Sequence, residues 1–280
     1  MNTMLPNPTL TLREMAGIPV LTDDALFDAC GVRMAFSSRA GGVSVAPYDT
    51  LDLGDYVGDD PQAVAENRAR VVAALGAKGY PVVVPKQVHG TRVVQVANLG
   101  DVARAQEDAR EGADAVVVTC AGVAAQLSFA DCLPLVVVSP TGRFAVIHAG
   151  WRGALAGVAS AGTRALVEAD AQAGEACDPS TLNAYIGPYI HEECFETGGD
   201  VVDQFVEHYG EGVLSPRGRV DLSRVVTADL ASVGGPCDRI GECDICTVCS
   251  CEEYYSFRAA PDGVCGRHGA LALRVAGGEG

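Results

Sequence analysis

A cysteine and a histidine stand at the ends of two adjacent apolar segments. Cys132 comes directly before residues 133–138, His148 directly follows residues 144–147, and a Pro-Thr-Gly turn at 140–142 separates the two segments. Short apolar runs bounded by turn residues predict two buried strands joined as a hairpin. If these strands pair antiparallel, the open end of the hairpin brings Cys132 and His148 together. A thiol beside an imidazole is either a nucleophile with its base or two ligands of one soft metal.

A second histidine completes a candidate site. His89 lies in a predicted loop between two strand-like segments, 80–84 and 92–96. Loops on a rigid scaffold often carry ligands and catalysts. Together, His89, Cys132 and His148 offer three protein ligands, which leaves the fourth position of a tetrahedral zinc open for water or substrate. The alternative for each histidine alone is a hydrogen-bonded structural residue.

Several polar residues are candidates for binding a substrate anion near this site. Arg39 lies in a glycine-rich loop after a predicted strand, and arginine suits bidentate recognition of phosphate or carboxylate. Arg152 lies where a helix is predicted to begin just after His148, so free backbone N–H groups are available there as well. Gln87, two residues before His89, is a third candidate contact. Asp131, beside Cys132, is a candidate for orienting a histidine or is simply a turn residue.

Composition restricts the class of protein. The 280 residues are 48% hydrophobic and 20% charged, which is typical of a globular chain. A net charge of −16 disfavours a nucleic-acid partner, because duplex binding needs a basic face. No apolar run approaches the roughly 20 residues of a membrane helix, and residues 1–15 lack the pattern of a secretory signal. We therefore expect a cytoplasmic protein, with a loose leader at 1–20 and a single catalytic domain at 21–280.

Eleven cysteines are many for a chain of this kind. The odd count in a large chain without a signal indicates a reducing compartment rather than a disulfide framework. Residues 237–251 hold five of the cysteines, with C-x-x-C spacings at 243–246 and 246–249. Such spacing holds structural zinc or an iron–sulfur cluster in some proteins, and elsewhere it is only a cysteine-rich loop. The sequence leaves a second metal site open.

The order of predicted elements gives the fold class. A helix is predicted from Pro61 to Gly76 and another from Trp151 to about Ala171, and closing strands at 254–258 and 271–275. Strands come in pairs and runs rather than in strict alternation with helices. This order favours a single α+β domain with mixed β-sheets flanked by helices over a doubly wound sheet.

The motifs together resemble one known family. They are Phe36-Ser37-Ser38-Arg39-Ala40-Gly41-Gly42-Val43-Ser44, Leu51-Asp52-Leu53-Gly54, Val57-Gly58-Asp59-Asp60-Pro61 with Asn67-Arg68, Lys86-Gln87-Val88-His89-Gly90, Gly112-Ala113-Asp114-Ala115, Ala130-Asp131-Cys132-Leu133-Pro134, His148-Ala149-Gly150-Trp151-Arg152-Gly153, Ile186-Gly187-Pro188-Tyr189-Ile190 with Cys194-Phe195-Glu196, and Tyr255-Ser256-Phe257-Arg258 with Gly266-Arg267. This set is similar to the laccase-domain family of purine nucleoside enzymes, also called polyphenol oxidases and peptidoglycan editing factors. The cysteine-dense 237–251 segment and Phe257, where a tyrosine is common, depart from the family pattern.

The resemblance implies a fold and several activities. The implied fold is an α+β domain related to cysteine-hydrolase-like toxins, with a zinc centre that maps onto His89, Cys132 and His148. Copper is the alternative metal. The implied activities are phosphorolysis of adenosine, inosine and methylthioadenosine, and deamination of adenosine, so that a nucleoside and phosphate are the expected small-molecule partners. Removal of wrong amino acids from peptidoglycan precursors and copper-dependent phenol oxidation are also ascribed to the family.

Three classes of function remain open at this stage. The first is a zinc-dependent purine nucleoside phosphorylase and deaminase, and the second is an amidase acting on a cell-wall precursor. The third is a non-catalytic protein in which a metal braces the fold. An oxidase is a weaker fourth option, because a multicopper cluster needs many histidines and this chain has five. The sequence does not determine the oligomeric state.

Overall fold

Two six-stranded sheets lie face to face in the computed structural model, which describes residues 4–275. In spatial order, the first sheet consists of β1 (Thr11–Met15), β2 (Ile18–Thr22), β3 (Val32–Ser37), β12 (His268–Arg274), β7 (Ala124–Phe129) and β4 (Val82–Val83). The second consists of β11 (Ile240–Glu242), β10 (Asn183–Ile186), β8 (Leu133–Val138), β9 (Phe144–Ala149), β6 (Ala115–Val118) and β5 (Val93–Val96). Both sheets are mixed, because β4 is parallel to β7, β5 to β6 and β10 to β11, whereas the other pairs are antiparallel.

Seven α-helices flank the sheets in the described residues 4–275. They are α1 (Asp24–Cys30), α2 (Pro61–Ala74), α3 (Val102–Arg110), α4 (Trp151–Leu155), α5 (Val158–Gln172), α6 (Gly199–Tyr209) and α7 (Leu222–Ala231). Short 3-10 helices lie at Leu99–Asp101, Pro179–Thr181, Glu211–Val213 and Pro261–Gly263. Helix α2 packs on the first sheet, whereas α5 and α7 pack on the second. The predicted α+β class with mixed sheets and flanking helices is confirmed.

The central strands are buried on both faces, which explains their continuous apolar sequence. In β8, Val136 and Val138 point into the core between the sheets, while Leu135 and Val137 point into the core under the helices. Side chains alternate along a strand, so a strand between two cores must be apolar at every position. The predicted hairpin of β8 and β9 is confirmed, since the two strands pair antiparallel from Leu133 to Val138.

Two predicted elements are wrong. The helix predicted from Trp151 to about Ala171 is broken after α4, because Gly157 has a left-handed backbone with φ of 86° and α5 begins only at Val158. The strand predicted at 254–258 is a series of turns. There the N–H of Arg258 donates to a side-chain carboxylate of Asp131 rather than to a neighbouring strand. The apolar pattern of the sequence reveals neither the left-handed backbone of Gly157 nor the hydrogen bond between Arg258 and Asp131.

The predicted leader contains ordered strands in its described part. Within segment 1–20, β1 and the first residues of β2 pair antiparallel at the edge of the first sheet. The backbone N–H of Thr9 donates to Asp23 over 3.1 Å. Within residues 4–275, no helix combines the length and the apolar character that crossing a membrane requires.

Candidate functional site

The hairpin places Cys132 and His148 at one end of the space between the sheets. His148 is paired with Pro134 across the β8–β9 ladder, and Cys132 immediately precedes β8. The side chain of His148 is buried and its ring lies 5.4 Å from that of Phe129 on β7 of the opposite sheet. Strand pairing therefore fixes both the position and the face of this histidine.

A buried carboxylate holds the loop that carries His89. Asp114 accepts hydrogen bonds from the backbone N–H groups of Val88, His89 and Gly90 at 3.2, 2.9 and 2.7 Å. His89 has a left-handed backbone with φ of 59°, an uncommon conformation for a residue with a side chain. Three bonds to one carboxylate stabilise this turn and direct the His89 ring toward the other two residues.

The three predicted residues lie together. Ligand atoms of His89, Cys132 and His148 all lie within 4.8 Å of one another, and His89 Nε2 is 3.8 Å from Cys132 Sγ. Two ligands of a tetrahedral zinc with bonds of about 2.0–2.3 Å are about 3.3–3.8 Å apart. Only small shifts of the side chains would therefore bring all three donors to zinc distances.

The same carboxylate orients His148. Asp114 Oδ1 lies 2.8 Å from His148 Nδ1, which leaves Nε2 directed to the shared site. Burial on its own would raise the pKa of Asp114, but the hydrogen bond and charge of His148, with the N–H groups of Gly90 and His89, lower it. A carboxylate on the far nitrogen of a histidine is the usual support of a metal-binding imidazole.

Without a metal, Cys132 and His148 favour a thiolate–imidazolium pair. Burial opposes the charged thiolate, yet the charge and hydrogen bond of His148 and the contact with His89 lower the pKa of Cys132 to about 6. Burial likewise opposes the charged imidazole, but Cys132 and Asp114 raise the pKa of His148 to about 9. The thiol is thus prepared either for metal capture or for nucleophilic attack.

Gly150 leaves room for the site. A side-chain carbon at this position would clash with His89 Cδ2 and lie only 3.2 Å from Cys132 Sγ. The missing side chain keeps open the space into which the three donors point. The donor types, their separation and this open space together fit a single zinc ion.

The three donors line a cavity of about 370 Å³. Its apolar lining includes the rings of Tyr56, Trp151, Phe195 and Phe257. Among its polar residues are Gln87 and two arginines, Arg258 and Arg267. The cavity therefore combines aromatic surface, cationic groups and three soft-metal ligands.

The two arginines of the cavity are held by backbone contacts. Arg267 donates its backbone N–H to Asp52 Oδ1 over 2.7 Å, and its guanidinium donates to the carbonyls of Cys265 and Gly266. The guanidinium of Arg258 lies 3.3 Å from the carbonyl of Cys194. Within residues 4–275, neither guanidinium forms an ion pair with a carboxylate, so both are available to pair with an anionic ligand.

Two of the three residues predicted to bind substrate or phosphate lie outside the cavity lining. Arg39 lies outside the cavity lining: its guanidinium donates to the carbonyls of Asp49 and Cys251 at 3.0 and 2.8 Å. Arg152 also lies outside the lining and stacks on the Trp151 ring at 4.2 Å. Neither arginine therefore contributes to the lining of the cavity, where both were predicted to bind an anion.

Gln87 does line the cavity, but its amide is committed to the backbone. It exchanges two hydrogen bonds with Ser128 of β7, at 2.8 and 2.9 Å. This pair of bonds ties the start of the His89 loop to the first sheet. Gln87 thus positions the loop as well as facing the cavity.

Asp114, rather than Asp131, orients a histidine. The carboxylate of Asp131 accepts from Thr247 Oγ1 and from the N–H of Arg258, both at 2.7 Å, so it is occupied by the loops behind Cys132. Sequence reasoning assigned no role to Asp114 or Arg258. The available signal for Asp114 was an acidic residue at the start of an apolar strand, where an unpaired carboxylate is costly to bury.

Comparisons with known proteins identify the family. Residues 33–274 match the family described as multi-copper polyphenol oxidoreductase laccase. This chain belongs to that family. The resemblance drawn from the motifs is confirmed, and the match covers β3 to β12, including every residue of the candidate site.

Relatives and solved structures of this family cover most of the chain. A purine nucleoside phosphorylase of Deinococcus radiodurans is 36% identical over 247 residues, 86% of this chain and 88% of the relative. The adenosine deaminase RL5 of an unknown prokaryotic organism is 35% identical over 238 residues, 80% of this chain and 87% of that protein. The crystal structure of YlmD from Geobacillus stearothermophilus is 27% identical with a TM-score of 0.79, covering 97% of this chain and 100% of that one.

Proposed function

We propose that this chain is a zinc-dependent purine nucleoside enzyme that catalyses phosphorolysis of adenosine, inosine and methylthioadenosine and deamination of adenosine. The observation that carries the proposal is the convergence of His89, Cys132 and His148 in a cavity with aromatic walls and two arginines that form no ion pair with a carboxylate of residues 4–275. A volume of about 370 Å³ suits a small molecule, since ligand pockets are typically about 300–1,000 Å³. Relatives named for both activities support the same assignment.

The donor set is suited to zinc. Cysteine and histidine together match the borderline-soft preference of this ion, and three protein ligands leave one position for a small molecule. Zinc, when bound, supplies a Lewis acid that lowers the pKa of water and polarises a substrate atom. Asp114 holds the His148 ring by Nδ1, so that Nε2 would be the atom that binds the ion.

The cavity offers separate surfaces for the two parts of a nucleoside reaction. The guanidinium groups of Arg258 and Arg267 are the candidate phosphate ligands, because a planar guanidinium binds phosphate oxygens in pairs. The rings of Tyr56 and Phe257 are the candidate surface for a purine, whose flat faces stack on aromatic side chains. In phosphorolysis the arginines hold the phosphate that attacks the anomeric carbon while the base departs.

An amidase is the second candidate, and the Cys132–His148–Asp114 arrangement favours it. In the metal-free protein a Cys132 thiolate attacks an amide carbonyl carbon, and the His148 imidazolium gives its proton to the departing amine. Asp114 holds the imidazole, as the third member of such triads does. A multicopper oxidase receives less support, because in residues 4–275 a single group of metal-type donors contains histidine.

Incubation of the zinc-loaded protein with adenosine, with and without phosphate, tests these alternatives. Chromatography of adenine, inosine and hypoxanthine gives the readout. Adenine that forms only with phosphate supports phosphorolysis, and inosine formed without phosphate supports deamination. A His89→Ala variant purified in parallel measures contaminating enzymes. If neither product exceeds that control, while a cell-wall precursor releases an amino acid, the nucleoside assignment is wrong and the amidase stands.

A further inference from the structure

A second group of metal-type donors lies outside the cavity lining. Ligand atoms of Glu193, Cys194, Cys246 and Cys249 all lie within 4.8 Å of one another. Sγ of Cys194 is 3.6 Å from Sγ of Cys249. Cys246 is buried, whereas Cys249 and Glu193 lie at the surface. Below, these four residues are called the cysteine cluster.

Two segments distant in sequence form the cysteine cluster. Tyr189 and Cys246 form an isolated parallel bridge, and the N–H of Thr247 donates to the Tyr189 carbonyl over 3.0 Å. The backbone N–H of His191 lies 3.5 Å from Cys246 Sγ. The N–H of Ser250 donates to the Cys246 carbonyl, which closes the turn that brings Cys249 back toward Cys246.

The structure distinguishes the two C-x-x-C spacings of the sequence. Cys243 is buried in the core between the sheets and takes no part in the cluster. Cys246 and Cys249 stay together, and their third partner is Cys194, more than fifty residues earlier. Two cysteines from a tight turn and one from a separate segment are a common arrangement of structural zinc ligands.

We propose that Cys194, Cys246 and Cys249, with the carboxylate of Glu193, bind a structural zinc ion distinct from the ion of the cavity. Four protein donors make a closed site, and closed tetrahedral sites serve structure rather than catalysis. Thiolates outnumber the other donors, which favours zinc over harder cations. Glu193 is the weakest of the four ligands, because its carboxylate also lies 3.8 Å from His191 Nδ1.

The proposed ion would brace one wall of the cavity. Phe195, next to Cys194, lines the cavity, as does Arg258, whose guanidinium lies 3.3 Å from the Cys194 carbonyl. Thr247, between the two cysteines of the turn, donates to Asp131 beside Cys132. Crosslinking segments 189–195 and 246–250 through a metal therefore holds a cavity arginine and the turn before Cys132.

Metal content of matched variants tests the proposal. The full-length chain, purified in reductant, is saturated with zinc, desalted and analysed for metal per chain. We expect two zinc ions in the unchanged protein, one in Cys246→Ser/Cys249→Ser and one in His89→Ala. The control Cys237→Ser, a neighbouring exposed cysteine outside the cluster, keeps two. Because His89→Ala removes only the cavity ion, failure of the nucleoside proposal and failure of this one are distinguishable.

Cobalt gives a second readout that does not depend on a destabilising double substitution. Co²⁺ added to the His89→Ala variant should produce an intense thiolate-to-metal absorption band, and this band should fall by about a third or more when Cys249→Ser is added, since one of three thiolates is lost. Glu193→Gln should keep the band and weaken Co²⁺ binding. The proposal is overturned if Cys246→Ser/Cys249→Ser retains as much zinc as the unchanged protein. It is also overturned if the protein isolated in reductant holds a Cys194–Cys249 disulfide and no ion at the cluster.

Discussion

The His89–Cys132–His148 site and the cysteine cluster use similar donors but are built differently. The first is fixed by a strand ladder and by the Asp114 carboxylate, which holds both histidines. The second is fixed by turns that join two loops, with Cys246 buried and Cys249 at the surface. The first lines a cavity, whereas none of the four cluster residues does.

From this difference we expect the first site to carry out catalysis and the cysteine cluster to stabilise the fold. Three donors beside a cavity leave a position for substrate, whereas four donors without a cavity leave none. A change in the first site should therefore abolish turnover and spare the fold. A change in the cluster should remove an ion and leave turnover largely intact.

Loss of the Cys132 thiol should have the largest effect. Cys132→Ala is expected to lower kcat/KM by at least about 10³-fold, because the sulfur is required whether Cys132 binds the metal or attacks the substrate. It should also lose the cavity ion, as measured by metal content. Cys120→Ala, a partly buried cysteine outside the cavity lining, is the matched control and should keep both.

A metal-free protein decides between the two roles of Cys132. If Cys132 is a ligand, chelation stops turnover and exposes a thiol that iodoacetamide modifies. If the chelated protein keeps full turnover, and alkylation of Cys132 then abolishes it, Cys132 acts as a nucleophile and the amidase assignment gains support.

The pH dependence of that alkylation should reveal the ion pair. Because the pKa of Cys132 is lowered to about 6, the rate in the metal-free protein should rise through pH 6 and level off, rather than rise near the ordinary value of 9.0. At pH 7 the thiolate fraction is then about a hundredfold larger than for an ordinary thiol. His148→Gln removes the positive partner and should move the midpoint upward. An unchanged midpoint in that variant would exclude the pair.

The same two pKa shifts predict how stability depends on pH. The lowered pKa of Cys132 contributes stability above pH 9.0, which is lost as pH falls through about 6. The raised pKa of His148 contributes stability below pH 6.5, which is lost as pH rises through about 9. Between about pH 6.5 and pH 9, Cys132 and His148 together hold one proton in both the folded and the unfolded chain. The free energy of unfolding of the metal-free protein should therefore be nearly independent of pH in that range.

Asp114→Asn should weaken the metal site without removing a ligand. Substitution of a residue that orients a metal ligand typically costs about 10–100-fold in metal affinity or activity. The asparagine amide can donate where the carboxylate accepts from three N–H groups, so the His89 loop should also loosen. Zinc titration against a chromophoric chelator measures the affinity. Asp108→Asn, an exposed carboxylate near Arg92, is the control and should leave the affinity unchanged.

The arginines of the cavity should respond differently from Arg39. Removing a charge-assisted hydrogen bond costs about 1.5–3 kcal/mol, so Arg267→Gln and Arg258→Gln are expected to raise KM for phosphate about tenfold or more. Arg39→Gln should instead lower the thermal midpoint, because its guanidinium joins the carbonyls of Asp49 and Cys251. Phosphate kinetics and thermal unfolding on the same preparations separate the two effects. A larger phosphate effect for Arg39 than for Arg267 would contradict the cavity assignment.

The sequence predicted the part of the site that lies within a single hairpin. Cys132 and His148 belong to one hairpin, so apolar pattern and a turn were enough to bring them together. Asp114 reaches His148 only through the pairing of β6 with β9, and Arg267 is fixed by Asp52, more than two hundred residues away. Side-chain bonds across such distances leave no periodic pattern in the sequence.

The two wrong elements have different causes. Gly157 breaks a helix because of its left-handed backbone conformation. Segment 254–258 does not form a strand, and its Arg258 N–H donates to Asp131 instead of to a neighbouring strand. The sequence also located the cysteine-rich segment but not its third cysteine, since Cys194 joins Cys246 and Cys249 only through the loop after β10. Fold class and hairpin were thus accessible from pattern, whereas the positions of Arg258 and Arg267 in the cavity required the folded chain.

The smallest expected effect is that of the cysteine cluster on turnover, and it sharpens the contrast between the two sites. Cys249→Ser should weaken metal binding at the cluster yet change kcat/KM by no more than about fivefold, roughly 1 kcal/mol in the activation free energy, since the variant alters no group of the cavity lining. The loss should appear as a higher KM for phosphate, because the Cys194 segment supports Arg258, and as a lower thermal midpoint. Cys237→Ser controls for the loss of an exposed thiol. If Cys249→Ser instead lowers kcat as strongly as Cys132→Ala while KM stays constant, the cluster takes part in the chemistry and the division between an open catalytic site and a closed structural one is wrong.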